Sequence, residues 1–178
     1  MTEFQFFEKK MQVTRAVRID MPYLLLAYED QSPDNLYYLD TKSGLIKLVH
    51  KHLFDLRDLT DEIERDRERY LYVPKTDKSV LLKDLRDFQK QIEDPSLVSV
   101  LEMAFESPHQ LSSFRKILEG KSNYLERFES YRTDRITERI NEWLNANAYK
   151  HDPEAKNELD ENSADFFDDF YDDEEDED

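Results

Sequence analysis

The chain has 178 residues, no cysteine, two glycines and a formal net charge of −17. That length suits one domain with an appendage; the missing cysteines exclude a disulfide framework and thiolate chemistry, and two glycines are too few for a phosphate-cradling loop. The charge is uneven: residues 152–178 hold 15 acidic residues and one lysine, so the rest of the chain carries only −3, which argues against a body that grips nucleic acid over a wide basic face.

At the N-terminus, Phe4, Phe6 and Phe7 are interrupted by Glu3, Glu8, Lys9 and Lys10, so no secretory apolar segment is expected. The longest apolar run, 23–28, is far short of the ~20 residues that span a bilayer. A cytoplasmic protein without membrane contact is the expectation. Alternating Val13, Val17 and Ile19 read as a short strand. Asp20 followed by Pro22 reads as an N-cap with proline in the first turn of a helix ending near Glu29, although 23–28 alone also suits a strand. Residues 36–39 and 45–49 form a β-hairpin around a turn of Asp40 to Gly44, the glycine tolerating positive φ. Leu53, Leu56, Leu59 and Ile63 recur at helical spacing, predicting a helix over 52–68. Residues 69–74 are β-rich and closed by Pro74, which suits an edge strand.

From residue 78 the pattern is helical throughout. Ser79 is the expected cap of a helix burying Leu81, Leu82, Leu85, Phe88 and Ile92. Asp94 and Pro95 open the next, with Leu97, Val98, Leu101, Ala104 and Phe105 inward. Ser107 and Pro108 repeat the cap-then-proline signal before Leu111, Phe114, Ile117 and Leu118, and Gly120 reads as a C′ glycine. A last helix from Ser122 or Asn123 to about Asn147 carries Leu125, Phe128, Ile136, Ile140, Trp143 and Leu144, so Trp143 is expected in the core. Residues 152–178 are too charged and too poor in large apolar groups to offset their ordering entropy. They are expected to be a disordered tail whose removal after His151 leaves stability unchanged.

Four stretches carry a family resemblance: Tyr37, Tyr38, Leu39 and Asp40 with Thr41 and Gly44; Arg69 to Pro74; Phe114 to Leu118; and Phe128 with Tyr131 to Asp134, leading to Arg139 and Trp143. In order and spacing the chain resembles a bacterial family of uncharacterised proteins that bears a provisional label and no assigned activity. The resemblance runs from about Asp20 to Tyr149 and leaves out the acidic tail. Where similar proteins have a Gly-Lys-Gly stretch before the Phe-Arg segment, this chain has Glu106 to Leu111. The resemblance implies a compact bacterial domain and supplies no substrate.

No residue set suggests catalysis. His50 and His52 alternate, which could align two metal ligands on a strand, but they read as a surface pair, and no metal or cofactor is expected. Asp55, Asp58, Glu62 and Asp66 follow helical spacing beside Arg65 and Arg69, as on a solvated, ion-paired face. Arg132, Arg135 and Arg139 form a basic stripe near Phe128 and Tyr131, flanked by Arg115, Lys116, Lys121 and Arg127. Basic and aromatic residues interleaved in this way can hold a nucleic-acid backbone, although Glu126, Glu129, Asp134, Glu138 and Glu142 neutralise them. In the tail, Phe166, Phe167, Phe170 and Tyr171 would share one face of a helix ringed by acid, the pattern of a segment that folds on a partner.

The expectation is an α+β fold: a small, mainly antiparallel N-terminal sheet packed on a helical C-terminal half, one domain over 1–151, then the tail. The leading functional reading is a non-catalytic interaction or regulatory protein that meets a protein partner through Phe166, Phe167, Phe170 and Tyr171. The second is a nucleic-acid-associated protein using the basic stripe, autoinhibited by the tail; the third is an enzyme without a recognisable motif.

Overall fold

The computed structural model describes residues 13–53 and 57–160. Its elements run β1 (Arg15–Val17), α1 (Met21–Glu29), β2 (Asn35–Asp40), β3 (Ile46–His50), α2 (Arg57–Arg65), β4 (Tyr70–Tyr72), α3 (Lys78–Gln89), α4 (Pro95–Phe105), α5 (Gln110–Glu119), α6 (Ser122–Ala146) and β5 (Tyr149–His151). The fold class is α+β. Among the described residues no helix is long and apolar enough to cross a membrane. The described parts of 1–74 and 140–178 form one compact unit, and Lys75–Arg139 forms a second; α6 supplies residues to both.

In the first unit, β2 is central in a three-stranded antiparallel sheet of order β3-β2-β4, so β4, which precedes Pro74, is an edge strand. The hairpin turns on Gly44 at φ +73. Asp20 caps α1, its Oδ1 accepting from the Tyr23 amide at 3.1 Å, with Pro22 in the first turn. Sequence pattern did not anticipate β5, which pairs in parallel with β1, Arg15 opposite Tyr149. The chain enters β5 through Ala148 at φ +60, a left-handed residue that ends α6 where no glycine advertises a stop. Trp143 is only half-buried, its ring 6.1 Å from that of Tyr28, rather than in the core. Helix α2 is shorter than its apolar spacing predicts: Leu53 lies outside it and is 57% exposed. One buried side chain, Ile63, holds it.

The second unit is a helical cluster. Leu85, Phe88, Leu101, Phe114, Leu118 and Phe128 are completely or almost completely buried together, and the Phe88, Phe114 and Phe128 rings pack at 5.0–6.3 Å, distances at which edge-to-face contacts add to area burial. Three caps differ from expectation. Asp77, not Ser79, caps α3, accepting from the Ser79 amide at 2.7 Å. Helix α5 starts after His109 rather than at Ser107, whose hydroxyl instead accepts from Ser113 at 2.7 Å. Gly120 has φ −70, not a left-handed value, because α6 begins two residues later. Asp94 caps α4 with Pro95 behind it, as the sequence indicates.

Candidate functional site

The predicted basic stripe is not an open surface. Arg132 and Arg139 lie two turns apart on one face of α6, and both point at Asp84 of α3. Asp84 Oδ2 accepts from Arg132 Nη1 at 3.1 Å and Arg139 Nη1 at 2.7 Å, and Oδ1 from Arg139 Nη2 at 2.7 Å. Arg132 is 2% exposed. Its charge is compensated from within, by an acid 48 residues away in sequence, whereas two glutamates of the same helix, Glu129 and Glu138, meet Arg115 and Arg135. Arg135 remains half-exposed, against the Tyr131 hydroxyl at 3.4 Å and Glu138 at 3.8 Å. Three of the four flanking cations are engaged too: Arg115 makes a bidentate pair with Glu129 at 2.6 and 2.9 Å, Arg127 lies 5.3 Å over Tyr124, and Lys121 faces Asp94 at 3.8 Å.

A second internal ion pair fastens the sheet. Asp40 is fully buried at the end of β2. It accepts from Arg69 Nε and Nη2 at 2.8 Å each, from the Ser43 hydroxyl at 2.8 Å and from the Lys42 amide at 3.0 Å. Burial pushes its carboxyl up, but the Arg69, Ser43 and Lys42 bonds outweigh burial and hold it below the usual range. Arg69 also meets Glu62 at 3.3 Å, and the Tyr70 hydroxyl donates to Glu62. The Glu62 side chain is still 49% exposed, so it ion-pairs with Arg69 on the solvated face of α2 while also reaching Tyr70 of β4. His52 is exposed and faces Asp34 at 3.4 Å, and His50 Nδ1 accepts from the His52 amide at 3.2 Å. Among the described residues, no cluster of three or more His, Cys, Asp or Glu could hold a metal ion.

The third constellation lies where the acidic segment leaves the body, and sequence reasoning missed it. Residues 152–160, assigned above to the tail, are bound into the first unit. The Asp152 amide donates to Val17 O at 3.0 Å, extending the β1–β5 pairing. Asn157 is 4% exposed. Its Oδ1 accepts from the Arg18 amide at 3.0 Å, and its Nδ2 donates to Arg18 O at 2.9 Å and Ser43 O at 2.7 Å. The side-chain amide copies a peptide group, joining the end of β1 to the hairpin turn. Gly44 is required there: a Cβ would stand 1.8 Å from Arg18 O and 2.8 Å from Asn157 Nδ2. The Leu159 amide donates to Lys42 O at 3.3 Å. Outside, Arg18 pairs with Asp160, and Glu158 meets Arg15 at 3.5 Å and Lys42 at 3.8 Å. A cleft of about 50 Å³ beside this seam is lined by Arg15, Thr41, Tyr149, Lys156 and Glu158. The legible signal was Asn157 with Leu159 two residues on, in a segment whose charge otherwise dominates its composition. Phe166, Phe167, Phe170 and Tyr171 lie outside the described residues.

The profile of an uncharacterised protein family, UPF0158, matches residues 14–168. The match continues past Asp152, so the likeness reaches into the acidic segment that the sequence reading had left out. UPF0158 protein PA5073 of Pseudomonas aeruginosa is 26% identical over 133 residues, covering 75% of this chain and 85% of the relative. No solved structure matches the chain. With most of its length under the profile, the chain belongs to the UPF0158 family of uncharacterised proteins.

Proposed function

We propose that this is a cytoplasmic, non-catalytic interaction protein that presents its aromatic, acidic C-terminal segment to a protein partner. The observation that carries the reading is the Asn157 seam. It fixes the chain to the body up to Asp160, so that only five residues separate Phe166 from an anchored point. Aromatic anchors dominate the energy of small interfaces, and concentrating four of them in a segment with 11 acidic and no basic residues over 161–178 has no purpose in solubility. The acids would speed encounter with a basic surface. A nucleic-acid role for the stripe of Arg132, Arg135 and Arg139 finds no support in the geometry, because Asp84 occupies two of the three guanidinium groups.

The test is affinity capture from bacterial lysate with three baits: the full chain, a chain ending at Asp160, and the full chain with Phe166→Ser, Phe167→Ser, Phe170→Ser and Tyr171→Ser. A specific partner should stay on the first and be lost from the other two. Equal capture by the serine variant, whose charge is unchanged, would overturn the reading.

A further inference from the structure

The outer side of β1 is an unfinished sheet edge. The Arg15 amide donates to Ala148 O at 2.9 Å, and Val17 O accepts from the Asp152 amide at 3.0 Å, so Arg15 and Val17 turn their backbone groups toward β5. Alternation along the strand turns those of Thr14, Ala16 and Arg18 the other way. The Arg18 rung is taken. Its amide donates to Asn157 Oδ1 and its carbonyl accepts from Asn157 Nδ2, the double exchange that one residue of an antiparallel strand would make. The next rung is open: Ala16 is exposed, and among the described residues its N–H and C=O have no hydrogen-bond partner. Thr14, one rung further, is exposed as well. The cleft of about 50 Å³ lies against this edge, with Ala16 and Asn157 in its lining beside Arg15, Lys156 and Glu158. Its charge is unbalanced. Glu158 is the one carboxylate among the lining residues, and it is shared between Arg15 at 3.5 Å and Lys42 at 3.8 Å. Lys156 is exposed and has no ion-pair partner among the described residues.

We propose that this edge takes an extended, acidic peptide segment of a partner protein. The segment pairs antiparallel with Ala16 and Thr14, starts beside Asn157 and sets a carboxylate in the cleft with Arg15 and Lys156. In strand addition of this kind, main-chain bonds give affinity and side-chain sites give selectivity. Two observations select the occupant. Asn157 already fills the Arg18 rung as a peptide group would, so the edge accepts main-chain chemistry and the added strand has a fixed starting point. Arg15, Lys42 and Lys156 stand against the single carboxylate of Glu158, which a further acid would complement. The β1 of a second copy would instead bring another Arg15 and Arg18 to the same cations. The edge binds its partner whether or not Phe166, Phe167, Phe170 and Tyr171 engage one, so the two interactions hold or fail separately.

The test titrates the full, isotope-labelled chain with three short, end-blocked peptides and follows backbone amides by NMR. The first alternates Thr and Glu, the second alternates Thr and Lys, and the third is the Thr and Glu peptide with the backbone nitrogens of its pairing edge methylated. The first should move the Ala16 amide downfield, as a newly made hydrogen bond does, and the other two should leave it in place. Ala16→Pro removes the outward N–H and no bond to β5, and edge strands tolerate proline. It should weaken binding of the first peptide by about tenfold, the factor that goes with one good hydrogen bond. Lys156→Glu lies at an exposed position, leaves β1 untouched and should weaken binding at least as much, so the result does not hang on how well the proline variant folds. An Ala16 amide that stays in place with the first peptide in millimolar excess would overturn the proposal. So would equal binding of the lysine peptide, which would remove the acidic preference, or of the methylated peptide, which would remove strand pairing.

Discussion

Replacing Asn157 with Ala tests whether residues 152–160 belong to the folded body. The side chain is almost fully buried and makes three hydrogen bonds, all to backbone groups of Arg18 and Ser43. Each such bond contributes about 1 kcal/mol net, and a buried backbone group left unpaired costs about 1–3 kcal/mol. Asn157→Ala should therefore lower stability by roughly 3 kcal/mol, a large share of the 5–15 kcal/mol typical of a domain. The ion pairs around the seam are exposed and worth little, so Arg18→Ala, which leaves the Arg18 backbone bonds intact, should cost under about 1 kcal/mol. Urea unfolding followed by far-UV circular dichroism gives both values from the midpoint and slope. A chain ending at Asp160 should match the full chain within about 0.5 kcal/mol, and one ending at His151 should lose at least as much as Asn157→Ala. Equal stability of the His151-terminated chain and the full chain would refute the reasoning and return 152–160 to the tail.

The two glycines should behave oppositely. Gly44→Ala combines a left-handed φ with a Cβ 1.8 Å from a carbonyl oxygen and should cost well over 2 kcal/mol in the same urea assay, whereas Gly120→Ala, with φ −70 and nothing nearer than 3.9 Å, should be neutral or gain about 0.5 kcal/mol. Ala148→Gly relieves a left-handed alanine and should raise the thermal midpoint, with a gain of up to about 1 kcal/mol. Asp84→Ala removes the acid that faces buried Arg132 and should cost about 3–5 kcal/mol, measured against Arg135→Ala as a control within about 0.5 kcal/mol. Because the Asp40 carboxyl sits below its unfolded value, its contribution is present above the ordinary carboxylate range and lost as pH falls through the folded value; urea midpoints should fall in acid more steeply for wild type than for Asp40→Asn. In alkali, Tyr28, Tyr37 and Tyr70 are held above the ordinary tyrosine range near 10 by burial, with Asp30 adding to Tyr37 and Glu62 to Tyr70; an absorbance titration should show late-ionising tyrosines that become ordinary in urea, and stability should decline as pH rises past 10.

Local chemistry alone determined much of this protein. The Asp20–Pro22 and Asp94–Pro95 starts, the hairpin around Gly44, the edge strand before Pro74 and the helical stripes of α3 to α6 depend on contacts within a few residues, and the sequence displays those directly. At the start of α3 the cap is Asp77 and not Ser79, because the aspartate lies one position before the first helical residue and its carboxylate reaches the Ser79 amide. What only the tertiary structure decided is long-range. Arg132 and Arg139 look like a basic surface until Asp84, 48 and 55 residues distant, comes beside them. Asn157 looks like tail until its amide meets Arg18 and Ser43, 139 and 114 residues back. A parallel pairing such as β1 with β5 has no local turn to announce it. In each case the partner that satisfies a charge or a peptide group is chosen by the folded path of the chain, and no periodicity within a helix or strand encodes that choice.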